Sequence, residues 1–281
     1  MKRILITGAN SYIGTSFENY IKENHSDQYS VDTVDMIDEK WRERDFSGYD
    51  SVFHVAGIAH IKETKDNSEL YYKVNRDLAF ETAQKAKEAG VKQFVFLSSL
   101  SVYGMDTGII TAETSPRPKS NYGKAKLEAE HLLESLNHDD FKVAVIRPPM
   151  VYGKGCKGNF SRVVSLVRKL PVFPKVNNQR SMIYIDNLSA FIELIIRNGD
   201  PGIIVPQNRE PMCTSQMASW IAEELGKKLY FSYLLGFFIV VCRPFFSVLR
   251  KSFGSLVYHD AGIGECEYHV IDSEQSVRKS L

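Results

Sequence analysis

The sequence predicts an α/β protein built on a parallel, doubly wound sheet. Short apolar, β-branched runs at residues 3–7, 30–35, 50–57 and 91–98 alternate with stretches of helical composition. That alternation is the mark of right-handed βαβ units. The first run passes directly into a turn bearing Gly8 and Gly14 and then into a helix. The third and fourth runs exit into small residues, Ala56-Gly57 and Ser98-Ser99, which leave room for a ligand at the carboxyl edge of an open sheet.

Each element has a local reason. Ile4, Leu5, Ile6 and Thr7 suit a buried parallel strand. Gly8 permits the tight turn that follows, and Gly14 permits a helix from Thr15 to about Glu23 to pack closely on that strand. The free N–H groups and dipole of that helix start can hold a pyrophosphate. The second strand ends in an acid. Asp35, with Asp32 as its rival, can accept hydrogen bonds from adenosine ribose hydroxyls and repel a 2′-phosphate. No Arg follows directly, which favours NAD, with NADP the alternative. Asp45-Phe46 stands where a side chain can reach an adenine ring, although a loop acid without a role fits as well. His54, alone on an apolar strand, reads as a packed core residue. Residues 71–89 form a helix closed by Gly90. Asn75, on its apolar side, is either solvated or a buried amide that fixes the neighbouring strand or a water. At the exit of residues 91–98 the serines either cap a turn or offer one hydroxyl to a substrate oxygen beside Tyr122.

The stretch 121–130 reads as a helix start. Pro116 and Pro118 bar helix before it, and Ala125, Leu127 and Ala129 favour helix within it. Tyr122 and Lys126 stand at i and i+4 and share one face. An ammonium fixed beside a phenol lowers its pKa from the ordinary value of about 10, so that the phenol can exchange a proton with an alcohol near neutrality. Taken alone, the spacing fits an ordinary surface Tyr and Lys better.

A chain of 281 residues fits one large or two small domains. Its 35 basic and 34 acidic residues give no net-charge argument for nucleic acid. Cys156, Cys213, Cys242 and Cys266 lie far apart, without CxxC spacing. They read as reduced thiols of a cytoplasmic protein and as no metal site. The opening apolar run stops at Thr7-Gly8, too soon for a signal peptide.

The ordered set is Thr7-Gly8…Gly14, Asp35, His54-Val55-Ala56-Gly57, Asn75, Ser98-Ser99…Val102-Tyr103-Gly104, Tyr122…Lys126 and Arg147-Pro148-Pro149-Met150-Val151-Tyr152-Gly153. It resembles the extended short-chain dehydrogenase/reductase superfamily, in its nucleotide-sugar epimerase and ketoreductase branch. Each piece is common alone; the order is not. Asn159-Phe160 and Arg180-Ser181-Met182-Ile183-Tyr184-Ile185-Asp186 continue the likeness. The resemblance implies a Rossmann-type doubly wound sheet with a smaller carboxyl-terminal substrate-binding lobe. It also implies a UDP-linked or other nucleotide-diphosphate sugar as substrate, and a homodimer through helices around 71–89 and 122–136. Surface-polysaccharide 4-epimerases and 4-ketoreductases are the enzymes it most resembles.

By the same resemblance, Tyr122 is the catalytic acid/base, Lys126 a ribose ligand that lowers its pKa, and Ser99 the hydroxyl that orients the sugar. Gly8, Asn10, Ser11, Tyr12, Ile13, Gly14 and Asp35 become cofactor contacts. Asp45, Phe46, Val55, Ala56, Gly57, Asn75 and Ser98 belong to the same cofactor cleft. Pro148 and Pro149 flank the nicotinamide, Met150 faces the sugar, and Asn159 and Arg180 hold the diphosphate, a task suited to the planar guanidinium fork. Three departures stand out. Ser11 replaces a usual glycine, so the loop must tolerate a Cβ near the pyrophosphate. Met150 stands where UDP-glucose epimerases carry Asn. Residues 99–101 lack the carboxylates that a 4,6-dehydratase uses, which argues against dehydration.

The expected division is a cofactor domain over 1–152, with further core elements from about 180–206, and a mainly substrate-binding lobe over 153–281. Lys154, Lys157, Arg162, Arg168 and Lys175 make the start of that lobe basic, as a diphosphate site or a solvated face. Residues 229–241 are apolar, and Arg243-Pro244 separates them from Phe245, Phe246, Val248 and Leu249. This stretch is too short and broken to span a bilayer. It is expected to pack in the core or a dimer interface. Attachment to a membrane surface is the minor alternative, given flanking Lys227, Lys228, Arg243, Arg250 and Lys251.

Overall fold

The structure is a computed structural model and describes residues 1–59, 61, 63–64, 66–259 and 267–281. In chain order the strands of the first half are β1 (Lys2–Thr7), β2 (Tyr29–Val34), β3 (Ser51–His54), β4 (Gln93–Leu97), β5 (Gly108–Ile110) and β6 (Lys142–Ile146). The later strands are β7 (Met150–Tyr152), β8 (Val172–Pro174), β9 (Met182–Tyr184), β10 (Gly202–Ile204), β11 (Tyr230–Ser232) and β12 (Leu256–Tyr258). The helices of the first half are α1 (Tyr12–Asn24), α2 (Ser68–Tyr72), α3 (Leu78–Glu88) and α4 (Asn121–Glu134). They are followed by α5 (Asn159–Lys169), α6 (Ile185–Asn198), α7 (Thr214–Glu224), α8 (Tyr233–Cys242), α9 (Ser247–Phe253) and α10 (Ser273–Lys279).

Six strands form one sheet in the order β10-β6-β4-β3-β1-β2, and every neighbouring pair is parallel. The expected doubly wound parallel sheet is therefore present. After β1 the chain moves to β2 on one side and then returns to β3 on the other, so a switch point lies at the carboxyl ends of β1 and β3. On one face of the sheet Ala79, Ala83 and Ala86 of α3 and Ala129 and Leu133 of α4 join Leu5, Val52, Phe94 and Phe96 in a single buried cluster. The small alanines let both helices lie close to the strands. Around the same sheet, Phe17 of α1 meets Phe53 edge to face, with ring centroids 5.3 Å apart. Each such aromatic contributes about 1.5–3 kcal/mol by burial.

Chain contacts divide the molecule into two compact units. The first comprises 1–104, 115–148 and 188–206, and the second 105–114, 149–187 and 207–281. The second unit holds the parallel pairs β8 with β11, β5 with β12 and β7 with β9. In it, Tyr152 is wholly buried, its hydroxyl hydrogen-bonded with Ser276 Oγ at 2.6 Å and with Asn208 at 2.9 Å.

Two expectations change. The helix read over 71–89 is α2 and α3 joined by a π turn at Lys73–Asp77, which widens the backbone where Asn75 sits. Most of residues 229–249 lie outside the core of the chain, which overturns core packing and leaves dimer packing as the other half of that expectation. Tyr233, Leu234, Phe237, Phe238, Phe245 and Val248 are all more than half exposed. An apolar composition fixes burial only when a partner surface exists within the chain, and among the described residues none covers these side chains.

Candidate active site

The site builds outward from Gly8. Its φ of 112° is one that L side chains rarely adopt, and a Cβ there would lie 2.8 Å from Ala56 N. Gly8 N and Ala9 N both donate to Val34 O, at 2.9 and 3.0 Å, which ties the turn to the end of β2. Asp35, the next residue, is exposed, and its carboxylate accepts from Ile37 N at 2.9 Å. Its rival Asp32 is occupied within the strand by Tyr49 at 2.7 Å and Arg3 at 3.4 Å, so Asp35 is the acid left facing outward. Ser11 takes φ −72°, an ordinary conformation, and caps α1 by accepting from Gly14 N at 3.2 Å. The Cβ at this position carries no backbone strain, and its hydroxyl serves the helix start. Asn10 adopts φ 63°, and no acid occupies the first turn of α1, so the positive end of the helix dipole at Tyr12 and Ile13 is unopposed. These features fit a bound dinucleotide pyrophosphate.

Beyond β3 the chain runs through Val55, Ala56 and Gly57. A Cβ on Gly57 would lie 2.7 Å from Asn75 Oδ1 and 3.5 Å from Lys126 Nζ, so this strand exit abuts both side chains. Asn75 is fully buried. Its Oδ1 accepts from Ile58 N at 3.1 Å, and its Nδ2 donates to Ile58 O and Tyr71 O at 3.2 and 3.1 Å. The amide thus shapes the strand exit and points its donors at protein backbone. His54 lies behind, wholly buried against Phe94 and Phe96 and hydrogen-bonded with Thr7 Oγ1 at 2.8 Å. Burial, then the nearby Lys126 charge, push its pKa down to about 3, as befits a packed residue.

Ser120 caps α4 by accepting from Gly123 N at 3.0 Å, which fixes Tyr122 in the first turn. A Cβ at Gly123 would lie 2.6 Å from Ser101 O; the glycine allows α4 to touch the turn after β4. That approach brings the Tyr122 hydroxyl within hydrogen-bonding reach of Ser99. Ser99 also bonds Ser101, through N–H and hydroxyl, both at 3.1 Å. Lys126 Nζ donates to Leu97 O at 2.8 Å and sits 4.4 Å above the Phe96 ring.

The electrostatics reverse one expectation. Tyr122 has its pKa raised, because burial of the hydroxyl outweighs the lowering effect of Ser99. Lys126 does not hold the phenol down: burial pushes its own pKa to about 7, against the raising effect of Glu130, and its ammonium is aimed at Leu97 O and Phe96. The i, i+4 spacing brings the two residues to one face without making the lysine a strong field on the phenol.

Two further expectations are corrected. Phe46 is only 1% exposed, part of the core cluster and beneath Lys85; its ring is no platform for adenine. Asp45 beside it folds back on Ser47, at 2.8 and 2.6 Å. Ser98 turns its hydroxyl away from the cleft and donates it to buried Glu130.

Glu130 was not signalled by the motifs. It is 2% exposed and receives the Arg147 guanidinium, Nη2 at 2.5 Å and Nε at 3.1 and 3.2 Å. Arg147 Nη1 donates to Tyr103 Oη at 2.9 Å. Burial opposes the Arg147 charge, yet Glu130 holds its pKa above the ordinary value. Glu130 stands at i+4 from Lys126 on the same helix face, and a carboxylate there was the available signal. Glu63 was also missed; its carboxylate accepts from Asn121 N at 3.0 Å and Tyr122 N at 3.2 Å.

Pro148 and Pro149 are both buried where the first unit gives way to the second, and Pro148 O accepts from Leu100 N at 3.0 Å. In the second unit Met150 opens β7, half-buried. Asn159 begins α5, whose first turn has no acid and no side-chain cap. Arg180 donates through Nη1 to Gly254 O at 2.9 Å and Arg250 O at 3.3 Å, while its buried Nε meets no acceptor among the described residues. A guanidinium with an orphaned Nε edge fits an anionic ligand, with Asp106 the one carboxylate among the described residues that favours its charge. A hollow lined by Lys2, Asp50, Lys92 and Lys142 lies at the amino ends of the strands and holds none of these residues. Among the described residues no cluster of three or more metal-ligating side chains occurs.

Comparison with known proteins bears on the family and the fold. A sequence model of the NAD-dependent epimerase/dehydratase family matches residues 4–205. The UDP-glucose 4-epimerase of Vibrio cholerae is 32% identical over 251 residues, 80% of this chain and 76% of that protein. The N-acetyl-α-D-glucosaminyl-diphospho-ditrans,octacis-undecaprenol 4-epimerase of Escherichia coli O157:H7 is 24% identical over 272 residues, 89% of this chain and 81% of that one. In fold, UDP-glucuronic acid 4-epimerase from Bacillus cereus, solved with NAD, superposes with a TM-score of 0.74 at 17% identity, covering 99% of this chain and 94% of that one. Matched by the family model over residues 4–205 and 32% identical to a relative over 80% of its own length, the chain belongs to the NAD-dependent epimerase/dehydratase family.

Proposed function

We propose that the protein is a nucleotide-sugar 4-epimerase that uses NAD. The observation that carries the reading is the placement of Tyr122 in the first turn of α4, packed on the turn after β4 that bears Ser99, with Lys126 Nζ beside Gly57. The residues fitted to hold the cofactor are Gly8 with the turn through Asn10, Ser11, Tyr12, Ile13 and Gly14, then Asp35, Lys126 and the Val55-Ala56-Gly57 exit. Asp35 without a following Arg favours NAD over NADP. When bound, NAD would supply the hydride acceptor for sugar C4 and return that hydride afterwards. Tyr122 takes the C4 hydroxyl proton and gives it back; Ser99 holds the same oxygen and fixes its direction. Burial raises the Tyr122 pKa in the free protein, and a cationic nicotinamide would favour the ionised phenol if bound beside it. A 4-keto sugar that turned over in the site would leave as the C4 epimer with no net use of cofactor. Asn159, Met150 and Arg180 are the proposed contacts for the sugar diphosphate. A homodimer through α2, α3 and α4 and a cytoplasmic setting belong to the same proposal. Light scattering tests the first of these.

The test incubates purified protein with UDP-glucose, UDP-N-acetylglucosamine and UDP-glucuronic acid and follows products by NMR. A C4 epimer formed without loss of reduced nicotinamide supports the reading. Stoichiometric consumption of NADH or NADPH with 4-keto sugars shows a 4-ketoreductase instead.

A second reading replaces the nucleotide by a polyprenyl diphosphate. It is favoured by the exposed apolar side chains of α8, and one relative is named for such a substrate. Undecaprenyl-diphospho-N-acetylglucosamine in vesicles, run beside the UDP-sugars, separates the two.

A further inference from the structure

The site described above makes no use of α8, and it meets α9 only at the Arg250 carbonyl that accepts from Arg180. Tyr233 is 77% exposed, Leu234 66%, Phe237 63% and Phe245 80%. At about 100° per residue, the exposed positions of α8 cover more than half of its circumference. Gly236 is the buried residue of the helix, with Ile239 and Cys242 half-buried; a Cβ on Gly236 would run into the Lys175 carbonyl, so the glycine seats the helix against the protein. The helix is otherwise apolar throughout. Its ten residues span about 15 Å, half of a hydrocarbon core of about 30 Å, and no described helix is long and apolar enough to cross a membrane.

Charge identifies what covers this face. Residues 226–259 carry Lys227, Lys228, Arg243, Arg250 and Lys251 and no carboxylate. Lys227 donates to Val167 O and Arg168 O, and Arg250 pairs with Asp106 at 3.3 Å. Lys228, Lys251 and Lys175 are exposed. A second copy bound about a two-fold axis would present the same patch to itself, setting these cations against one another with no acid from the segment to pair with them. An anionic bilayer meets both features at once. Aromatic and aliphatic side chains enter the boundary of headgroup and acyl chain, and the lysines reach the headgroups. We propose that α8 and α9 form a docking surface for an anionic lipid bilayer, on which the protein lies without spanning it. The proposal is independent of the sugar reading, since its test involves no turnover.

The experiment floats the full chain with phosphatidylcholine vesicles, with or without about one third phosphatidylglycerol, at low and high salt. Wild-type protein is expected to partition at least about tenfold better to the anionic vesicles, and less so at high salt. Phe237→Ser with Phe245→Ser loses binding to both. Lys228→Gln with Lys251→Gln weakens anionic binding by about 25-fold, roughly fivefold for each cation. These side chains are exposed, so both variants keep the wild-type unfolding midpoint, and Ile37→Ser, at an exposed position in the other unit, leaves flotation unchanged. The proposal is overturned if wild type does not float, or if its binding ignores lipid charge and both variants. It is equally overturned if light scattering shows a stable dimer that the Phe variants split while no vesicle binding occurs.

Discussion

Glu130→Gln probes the layer behind the candidate catalytic face. In the native protein Glu130 is 2% and Arg147 5% exposed, with three close contacts between carboxylate and guanidinium. Glutamine keeps the shape but removes the charge, and it turns an amide donor toward a guanidinium that can only donate. Removing one partner of a buried pair costs about 3–5 kcal/mol. At about 2–4 °C per kcal/mol for a large domain, the melting midpoint should fall by roughly 10 °C. Circular dichroism on heating, with urea unfolding beside it, measures the loss. A second arm replaces both partners, Glu130→Met with Arg147→Met. An apolar pair of similar volume restores most of the stability, so the cycle should show a favourable coupling of about 2 kcal/mol or more. A midpoint within about 2 °C of wild type for Glu130→Gln, or a double variant no more stable than the single, would refute the reasoning.

Lys126 gives a pH signature. Its folded pKa of about 7 lies below the ordinary 10.5, so between those values the unfolded chain binds the extra proton and stability rises with pH. Lys126→Met removes that slope: unfolding in urea should show wild type gaining on the variant from about pH 7 upward, and a pH-independent difference would contradict this. His54 acts at the acid end, because its folded pKa near 3 lies below 6.5; stability falls as pH drops through that window, and His54→Phe should flatten the decline. Gly8→Ala meets Ala56 N at 2.8 Å with φ at 112°, so NAD affinity measured by calorimetry should drop at least about tenfold, with stability lower by more than about 1 kcal/mol. Gly123→Ala pushes α4 from Ser101 O; turnover should fall at least tenfold for an overpacking cost of about 1–3 kcal/mol.

Much of this was legible because it is local. The strand, glycine turn and helix of residues 2–24 and the helix start at Asn121 follow from neighbours in sequence. The parallel sheet follows from alternation. What was not legible depends on three-dimensional surroundings. The spacing of Tyr122 and Lys126 gave their shared face but not the burial that raises one pKa and lowers the other. Ser98 and Ser99 are adjacent where β4 ends, and alternation along a strand sends successive side chains to opposite faces; that rule separates the Glu130 partner from the Tyr122 partner. Phe46 reads identically as a core residue or as a ligand platform until its neighbours are known. The apolar stretch of α8 carries the composition of a core and the exposure of a surface, and only the fold distinguishes them.

In the proposed reaction the C4 proton passes through Tyr122 beside Ser99. The most direct test measures turnover of UDP-sugars by wild type and Tyr122→Phe, each purified with NAD bound and each checked for an unchanged unfolding midpoint. In the variant kcat should fall by about 10²–10⁴ while KM changes little. Undiminished turnover by Tyr122→Phe would contradict it.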